Sequence, residues 1–362
     1  MTGRRWWTLL LAVALLAAAC DGGGDVGGGG REPRGVKRGT LRIVNHGDVD
    51  ALDPGIAYGA VDWALLRGLV RELYSFDSRH HDERRLLPVP DLADGPYQLS
   101  SDGRTYTFRL RKGVRYAPPV DREVEARDFV YAVERQLDPD HPSPNPYSSL
   151  IDGVAEFAAG KARSISGMRA PNRRTLAITL KRPASDFPSI LTLPFFSPVP
   201  EGYAKRLEPG REYAAKLAAS GPYRVGSFVP GEGIELVRNE NWDPKTDPLR
   251  SAWVDKVTVT IRRSEAGIQQ AIEKGEADLN LDLTPPPNAD LLRLSGDRDL
   301  SKQLAVETTG CVHYLTLQTD AGPTRERKVR QAVNYAVDRQ AVVLALGGRY
   351  AGEPASTILS PT

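Results

Sequence analysis

The chain has only two cysteines in 362 residues, Cys20 near its start and Cys311 near its end. If Cys20 is chemically modified, as the residues around it indicate, no disulfide can form between the two. The fold must then be stabilised by its hydrophobic core, even in an oxidising compartment where disulfides are common. We expect Cys311 to be a small, buried hydrophobic residue.

Signatures of catalysis are also scarce. The sequence contains no H-E-x-x-H motif, no cysteine and histidine cluster at zinc-ligand spacing, and no G-x-S-x-G elbow. His80 and His81 are adjacent, and adjacent residues rarely ligate one ion together, so a solvated loop is the favoured interpretation. No carboxylate pair stands in apolar surroundings that would separate the two pKa values. We therefore expect neither an enzyme nor a metal ion or cofactor.

The chain has no marked excess of charge of either sign. It contains 48 Lys and Arg against 46 Asp and Glu, a formal net charge of +2. A nucleic-acid-binding protein normally carries a basic surface, so no nucleic acid is expected as a partner. The hydrophobic fraction of 40% is ordinary for a protein with a proper core, and the length is sufficient for two or more domains.

The first 35 residues do not have the pattern of a folded domain. Arg4 and Arg5 precede an apolar run at 6–19 that is too short to cross a bilayer comfortably, which predicts a signal peptide over residues 1–20. Three alanines before Cys20 resemble a lipobox, although Ala17 occupies the place where leucine is usual. We predict that Cys20 is lipidated and that the Gly-rich residues 21–35 form a tether. The alternative is an ordinary signal peptide with an incidental cysteine.

Hydrophobic periodicity predicts a mixed α/β protein. Apolar and polar residues alternate over 105–111, and the period becomes helical from Ala126, where we place Arg127, Asp128, Glu134 and Arg135 on the solvated side. The same patterns predict strands at 40–44, 175–180, 234–238, 255–261 and 313–318. They predict helices at 63–73, 147–159, 268–274, 329–337 and 339–346, with Asp62 and Asp338 as the N-caps of the first and last.

Asp48, Asp50 and Asp53 suggest a cation site at first sight. Their spacing lacks the glycine and the distal glutamate of a calcium-binding loop. We therefore expect these residues to serve turns and helix caps.

Several segments carry a family resemblance. The run from Asp102, D-G-R-T-Y-T-F-R-L-R-K-G-V, and the helix start A-R-D-F-V-Y at Ala126 are similar to the extracellular solute-binding proteins of family 5. These are the dipeptide- and oligopeptide-binding receptors of ABC importers. The segments S-G-P-Y at Ser220, R-N-E-N-W-D-P at Arg238, G-E-A-D-L at Gly275 and V-R-Q-A-V-N-Y-A-V-D-R at Val329 match in the same order. The resemblance extends from about Gly39 to the end of the chain.

The resemblance implies an α/β protein of the periplasmic-binding-protein-like type II fold, with two lobes and mixed β-sheets. Residues 36–283 would form the first lobe, with a smaller inserted domain at about 76–174. Residues 284–362 would form an incomplete second lobe after the proline run at 285–287. In the family further residues complete the second lobe, return to the first, and contribute the acid that clamps the peptide amino terminus.

The resemblance also implies the ligand-binding residues. Tyr58, Gly59 and Ala60 would pair their main chain with an extended peptide, which gives binding without side-chain selectivity. Glycine at 59 would permit a close approach of the ligand. The remaining members of the predicted site are Tyr147, Asn241, Trp242 and Tyr314. For Tyr147 and Trp242, packing in the core is an equally open interpretation.

The resemblance implies a substrate-binding receptor that captures peptides outside the membrane and delivers them to a permease. Such a receptor would be lipid-anchored on the extracytoplasmic face of the cell membrane, and ligand would stabilise a closed form of its lobes. One alternative is the same fold with a non-peptide solute, namely a nickel chelate, haem or an oligosaccharide. Others are a truncated surface lipoprotein that transports nothing and a secreted hydrolase.

Overall fold

The computed structural model describes residues 37–49, 51–80, 83–141, 143, 145–262, 264–281, 285–304, 312–350 and 352–358. The predicted signal peptide, the tether, Cys20, Asp50 and Cys311 lie outside the described residues. None of the helices in the described ranges has both the length and the apolar character that a membrane crossing requires.

The described residues form a mixed α/β structure. Its strands are β1 (Thr40–Asn45), β2 (Tyr74–Phe76), β3 (Pro88–Pro90), β4 (Gln98–Leu99), β5 (Thr105–Arg109), β6 (Met168–Asn172), β7 (Thr175–Thr179), β8 (Tyr223–Val229), β9 (Gly233–Arg238), β10 (Lys256–Ile261) and β11 (Leu279–Asn280). Its helices are α1 (Ala60–Leu69), α2 (Ala126–Gln136), α3 (Val154–Ala158), α4 (Phe187–Ile190), α5 (Glu201–Ala204), α6 (Arg211–Ala215), α7 (Glu265–Glu273), α8 (Asn288–Gly296), α9 (Arg327–Ala336) and α10 (Arg339–Ala345).

The main sheet has five strands in the order β11-β1-β10-β9-β8. β1 runs parallel to β10 and β11, with Thr40 opposite Lys256, whereas β9 is antiparallel to β8 and β10. Ile43 and Val44 of β1 are buried in two different apolar clusters. Because successive strand residues point to opposite faces, β1 is covered on both sides, as expected of a strand with parallel neighbours.

A second sheet carries the segment with the strongest family resemblance. Its order is β4-β5-β7-β6, and all of its pairs are antiparallel. Tyr106 and Phe108 of β5 are buried, as the alternation predicts, and Thr105 faces Thr179 across the β5–β7 pair. α2 packs against β6 and β7 of this sheet. The predicted bounds of the two lobes, and the inserted domain at about 76–174, stay a prediction.

Two predicted helices differ from those observed. α1 begins at Ala60, three residues before the predicted start, so Asp62 lies inside the first turn instead of at the N-cap. The helix predicted at 147–159 is divided into a 3₁₀ turn, Tyr147–Leu150, and α3. The division occurs at Gly153, whose φ of 75° is left-handed and does not continue a right-handed helix.

Two charged side chains of α2 are buried, so their predicted place on a solvated face is wrong. Asp128 accepts hydrogen bonds from the Glu125 N–H and from the Arg122 guanidinium. Arg135 donates to both carboxylate oxygens of Asp53, 82 residues away in the chain. Each of these charged groups is hydrogen-bonded to a group of opposite charge, and a charge is buried at low cost only when it is paired in this way.

The region from residue 285 is the most exposed part of the described structure. Neither α9 nor α10 has a buried residue, and the predicted N-cap Asp338 accepts from the Ala341 N–H at 3.0 Å. The strand predicted at 313–318 is not observed over 312–318. A strand requires a neighbour to complete its backbone hydrogen bonds, and no described strand pairs with this segment.

Candidate ligand-binding site

Tyr58 is an exposed member of the predicted site and lies two residues before the start of α1. Its side chain is 67% exposed, and its ring centroid lies 5.9 Å from that of Trp63 and 6.4 Å from that of Phe195. Trp63 meets Phe195 edge-on and donates its ring N–H to the Ala57 carbonyl at 2.8 Å. We call these three rings the Tyr58 wall, an aromatic surface of which Tyr58 is the solvent-facing member.

The main chain beside this wall is only partly engaged. Gly59 is extended, and its N–H and C=O bond to the Asp62 carboxylate and the Trp63 N–H. The N–H and C=O of Tyr58 have no hydrogen-bond partner among the described residues. Ala60 is already the first residue of α1. The segment therefore offers a ligand the backbone of Tyr58, not a three-residue strand edge.

The glycine at 59 has a local explanation. A Cβ atom at this position would lie 2.8 Å from Asp62 Oδ2, the atom that accepts from the Gly59 N–H. Its φ is negative, so the backbone conformation itself is open to any residue. The fit of Asp62 against the start of α1 thus accounts for glycine, whether or not a ligand approaches here.

A buried ion pair holds the loop that leads to Tyr58. Arg135 donates to Asp53 at 2.8 and 2.5 Å, and the Asp53 carboxylate also accepts from the N–H groups of Gly55 and Gly210. The Asp53 carbonyl accepts from the N–H groups of Ile56 and Ala57. Burial alone would raise the pKa of Asp53. The hydrogen bonds from Arg135 and from the Gly210 N–H instead hold that pKa well below its usual range. The loop before Tyr58 is therefore fixed from inside the protein.

The segment around Tyr147 is also held by α2, through the Gln136 side chain. Gln136 donates to the Phe195 carbonyl at 2.6 Å and accepts from the Asn145 side chain at 2.9 Å. Asn145 in turn accepts from the Tyr147 N–H at 3.0 Å. The Tyr147 side chain is 38% exposed, so it is not a core residue. The structure thus links Tyr147 to the Tyr58 wall through Phe195.

Asn241 and Trp242 are engaged with other parts of the protein. The Asn241 side chain donates to the Tyr116 carbonyl and to Asp121, and the ring N–H of Trp242 donates to Asp247 at 3.0 Å. Both residues are half-buried. These contacts favour a structural role in joining the 116–121 and 239–247 loops, and the predicted role of both residues in ligand binding stays a prediction.

Tyr314 belongs to the exposed region after residue 311. Its side chain is 67% exposed, and within the described part of the chain no hydrogen bond or ring contact joins it to the Tyr58 wall or to Tyr147. Its predicted contribution to the site from the second lobe stays a prediction.

The sequence did not predict the buried contacts that hold the site in place, namely Asp53 with Arg135 and Gln136 with Phe195. One helical face of α2 carries Phe129, Val133 and Gln136. A polar residue on an otherwise apolar face could have indicated that Gln136 is buried with a hydrogen-bond partner. Asp53 and Phe195 gave no such signal, because their partners are distant in sequence.

Comparison with known proteins agrees with this architecture. Residues 88–362 match the family described as bacterial extracellular solute-binding proteins, family 5 Middle. Heme-binding protein A of Haemophilus influenzae is 29% identical over 282 residues, 75% of this chain and 49% of that protein. The periplasmic oligopeptide-binding protein OppA of Salmonella typhimurium is 26% identical over 321 residues, 86% of this chain and 55% of that protein. The chain therefore spans about half the length of the curated relatives it matches.

Solved structures give the same result. Clavulanic acid biosynthesis oligopeptide binding protein 2 superimposes with a TM-score of 0.79 at 32% identity, covering 90% of this chain and 59% of that chain. The murein tripeptide binding protein MppA of Escherichia coli superimposes with a TM-score of 0.70 at 25% identity, covering 90% of this chain and 61% of that one. The two-lobed α/β fold predicted from the sequence is confirmed by this likeness. The chain belongs to the bacterial extracellular solute-binding proteins of family 5.

Proposed function

We propose that this chain captures peptides outside the cytoplasmic membrane, as the substrate-binding receptor of an ABC importer. The observation that carries the proposal is Tyr58, which combines an exposed ring with a main-chain N–H and C=O that have no partner among the described residues. An extended peptide presents the complementary groups, and pairing through the main chain tolerates many side chains. The names of relatives and structural neighbours, which include oligopeptide-, dipeptide- and murein tripeptide-binding proteins, support the same ligand class.

The Tyr58 wall suits this role for a physical reason. An aromatic ring on a fixed support contributes a large apolar contact and loses little conformational entropy when the ligand binds. Trp63 and Phe195 support the Tyr58 ring, and the Asp53–Arg135 pair fixes the loop before it. Tyr147, linked to Phe195 through Gln136 and Asn145, is the second candidate contact.

The proposal extends to partners and location. The closed, ligand-bound form would be recognised by permease subunits in the membrane, and ATP would be hydrolysed by other proteins. The chain would be held at the extracytoplasmic face by lipid on Cys20, with residues 21–35 as a leash. If Cys20→Ala stays in the detergent phase as the parent does after signal cleavage, the lipid anchor is wrong.

Calorimetry with a panel of mixed di- to pentapeptides tests the ligand class. We expect binding that varies little with peptide sequence and that weakens about tenfold in Tyr58→Ala, since a buried aromatic contact at an interface commonly carries this much. Tyr335→Ala is the matched control, because Tyr335 is 91% exposed on α9, outside the proposed site. A response to a nickel chelate or an oligosaccharide with none to any peptide would overturn the proposal.

Haem is the second candidate, because heme-binding protein A of Haemophilus influenzae matches 75% of this chain. Absorbance titration of the same preparation with haem separates the two ligands. A saturable Soret shift that peptides do not displace would favour haem.

A further inference from the structure

A cavity of about 490 Å³ opens beside the C-terminal half of α1, away from the Tyr58 wall. Arg67 of α1 and Arg250 line it together with the aromatic rings of Tyr223 and Trp253, and Ala64 lies at its edge. Its volume falls within the range of about 300–1,000 Å³ that is usual for small-molecule sites. None of the residues predicted from the family resemblance lines this cavity.

Arg250 connects the cavity lining to a buried network of charges. Arg71 and Arg250 both bind the Asp91 carboxylate, at 2.7 and 2.8 Å, and Arg250 also lies 3.4 Å from Asp247. Arg250 further approaches Glu72 at 3.4 Å. The side chains of these five residues are at most 6% exposed. Burial of these groups is tolerated because each lies within ion-pair distance of a group of opposite charge.

Arg67 lines the cavity and forms no ion pair with a described residue. Its guanidinium donates to the Ser75 hydroxyl at 2.8 Å and to the Phe76 carbonyl at 2.5 Å, both of which are neutral acceptors. No carboxylate in the described part of the chain lies within ion-pair distance of it. Its own carbonyl accepts from Arg250 at 2.6 Å, so two positive residues meet at the cavity wall.

The protonation of Glu72 adds to this imbalance. Burial, reinforced by the Asp91 charge, raises the pKa of Glu72 to about 8 despite the nearby Arg250 and Arg67. At neutral pH the three cations Arg67, Arg71 and Arg250 therefore face only the two carboxylates of Asp91 and Asp247. Burial and the charge of Arg250 lower the pKa of Arg67, and they outweigh the opposite effect of the Glu72, Asp91 and Asp247 carboxylates.

We propose that this cavity is a second ligand site, which takes a small organic anion whose carboxylate or phosphate group pairs with Arg67. A planar guanidinium is suited to either group, because two of its N–H donors can meet two oxygens. The apolar part of the ligand packs against Tyr223 and Trp253. Arg79, the third arginine of the lining, is already paired with Asp77 at 2.6 Å and contributes no excess charge.

A single position on α1 provides the test. Ala64 is exposed and lies three residues before Arg67, so a side chain at 64 neighbours the guanidinium on the helix surface. Ala64→Glu supplies an internal carboxylate to Arg67 and repels a ligand anion. Ala64→Gln has the same size without the charge and serves as the matched control. Neither change removes a donor or an acceptor of the bonds from Arg67 to Ser75 and Phe76.

The measurement is calorimetry of the full chain with acetate, benzoate and inorganic phosphate at constant ionic strength. We expect the parent and Ala64→Gln to bind alike and Ala64→Glu to bind at least about tenfold more weakly. Tighter binding of benzoate than of acetate identifies an aromatic carboxylate as the ligand class, and tighter binding of phosphate identifies a phosphate. Absence of binding of all three to the parent, or equal binding to both variants, would overturn the proposal.

Discussion

At the residue scale, the structure depends on buried charges that find partners far along the chain. Arg135 pairs with Asp53 across 82 residues, and Arg71 and Arg250 share Asp91. The sequence places Asp128 and Arg135 within a helical pattern in which charged residues normally face solvent. Their burial could not be predicted, because it depends on partners that only the tertiary fold brings near. The place of Tyr58 in the predicted site came from the family resemblance alone.

Arg135→Met tests the pair that supports the Tyr58 loop. The change leaves the Asp53 carboxylate buried without its main partner, and we expect the free energy of unfolding to fall by about 3–5 kcal/mol. Urea unfolding followed by circular dichroism measures this difference. Arg127→Met is the control on the same helix, since the Arg127 side chain is 51% exposed, and it should change stability by less than about 1 kcal/mol. Equal effects of the two changes would contradict the importance of the pair.

The raised pKa of Glu72 predicts a pH dependence of stability. Its folded-state value of about 8 exceeds the ordinary 4.5, so the unfolded chain releases this proton at lower pH than the folded protein does. The stability that protonated Glu72 contributes is therefore fully present below about pH 4.5 and is lost as the pH rises through about 8.

Glu72→Gln removes this titration. The free energy of unfolding of the variant relative to the parent should increase between about pH 5 and about pH 8, on the order of a few kcal/mol, and then level off. Glu156→Gln, at an exposed position of α3, is the control measured over the same pH range. A difference between Glu72→Gln and the parent that does not change with pH would show that Glu72 ionises normally.

At the scale of elements, alternation was a reliable guide and helix ends were not. β5, β7 and β9 were found because each has a buried face with a period of two. The start of α1 was misplaced, because Gly59 and Asp62 together determine where it begins. Residues 312–318 have the composition of a strand, but no described strand lies beside them. A local pattern cannot predict pairing, because pairing depends on the rest of the sheet.

Gly153 separates the 3₁₀ turn of Tyr147–Leu150 from α3, and alanine there should be strongly destabilising. Its φ is 75°, and a Cβ atom would lie 2.8 Å from the Ser166 backbone nitrogen. Gly160 has a φ of 69° with nothing within 4 Å of the same position. Gly160→Ala should cost about 1 kcal/mol from backbone strain alone, and Gly153→Ala at least about 2 kcal/mol more, because the neighbouring backbone must move. Thermal unfolding of both variants measures the two losses of stability. Equal losses for Gly153→Ala and Gly160→Ala would mean that Ser166 moves aside easily.

At the scale of the whole molecule, the apolar side chains are unevenly buried. The main cluster extends from Ile43 to Val259, whereas α9 and α10 bury none of their residues. The family resemblance predicts this contrast as a boundary between a first lobe at 36–283 and part of a second lobe after it. Hydrophobic patterning alone could not predict this contrast. The apolar residues of α9, which are Val329, Ala332, Val333 and Ala336, have the same spacing as those of a helix packed in a core.

Limited proteolysis tests the predicted boundary. We expect rapid cleavage after Pro285 and a longer-lived fragment that contains the main cluster, since backbone with few buried contacts opens most easily. Mass spectrometry of the fragments at successive times locates the cuts. First cleavage within 40–281, or resistance of the whole chain, would contradict the predicted division.

The position of β1 in the main sheet has a consequence for how the protein is made. Gly39, immediately before β1, bonds through its N–H to Asp255, 216 residues later, and both neighbours of β1 come from the far end of the same stretch. During synthesis the first strand of the sheet therefore emerges long before its partners, and it stays unpaired until residues 256–261 of β10 have been added. Folding of such a sheet is slow, because distant segments must meet before any contact compensates for the lost freedom. A chain whose main sheet is completed so late stays unfolded for longer during synthesis, which is the state that the export proposed above requires.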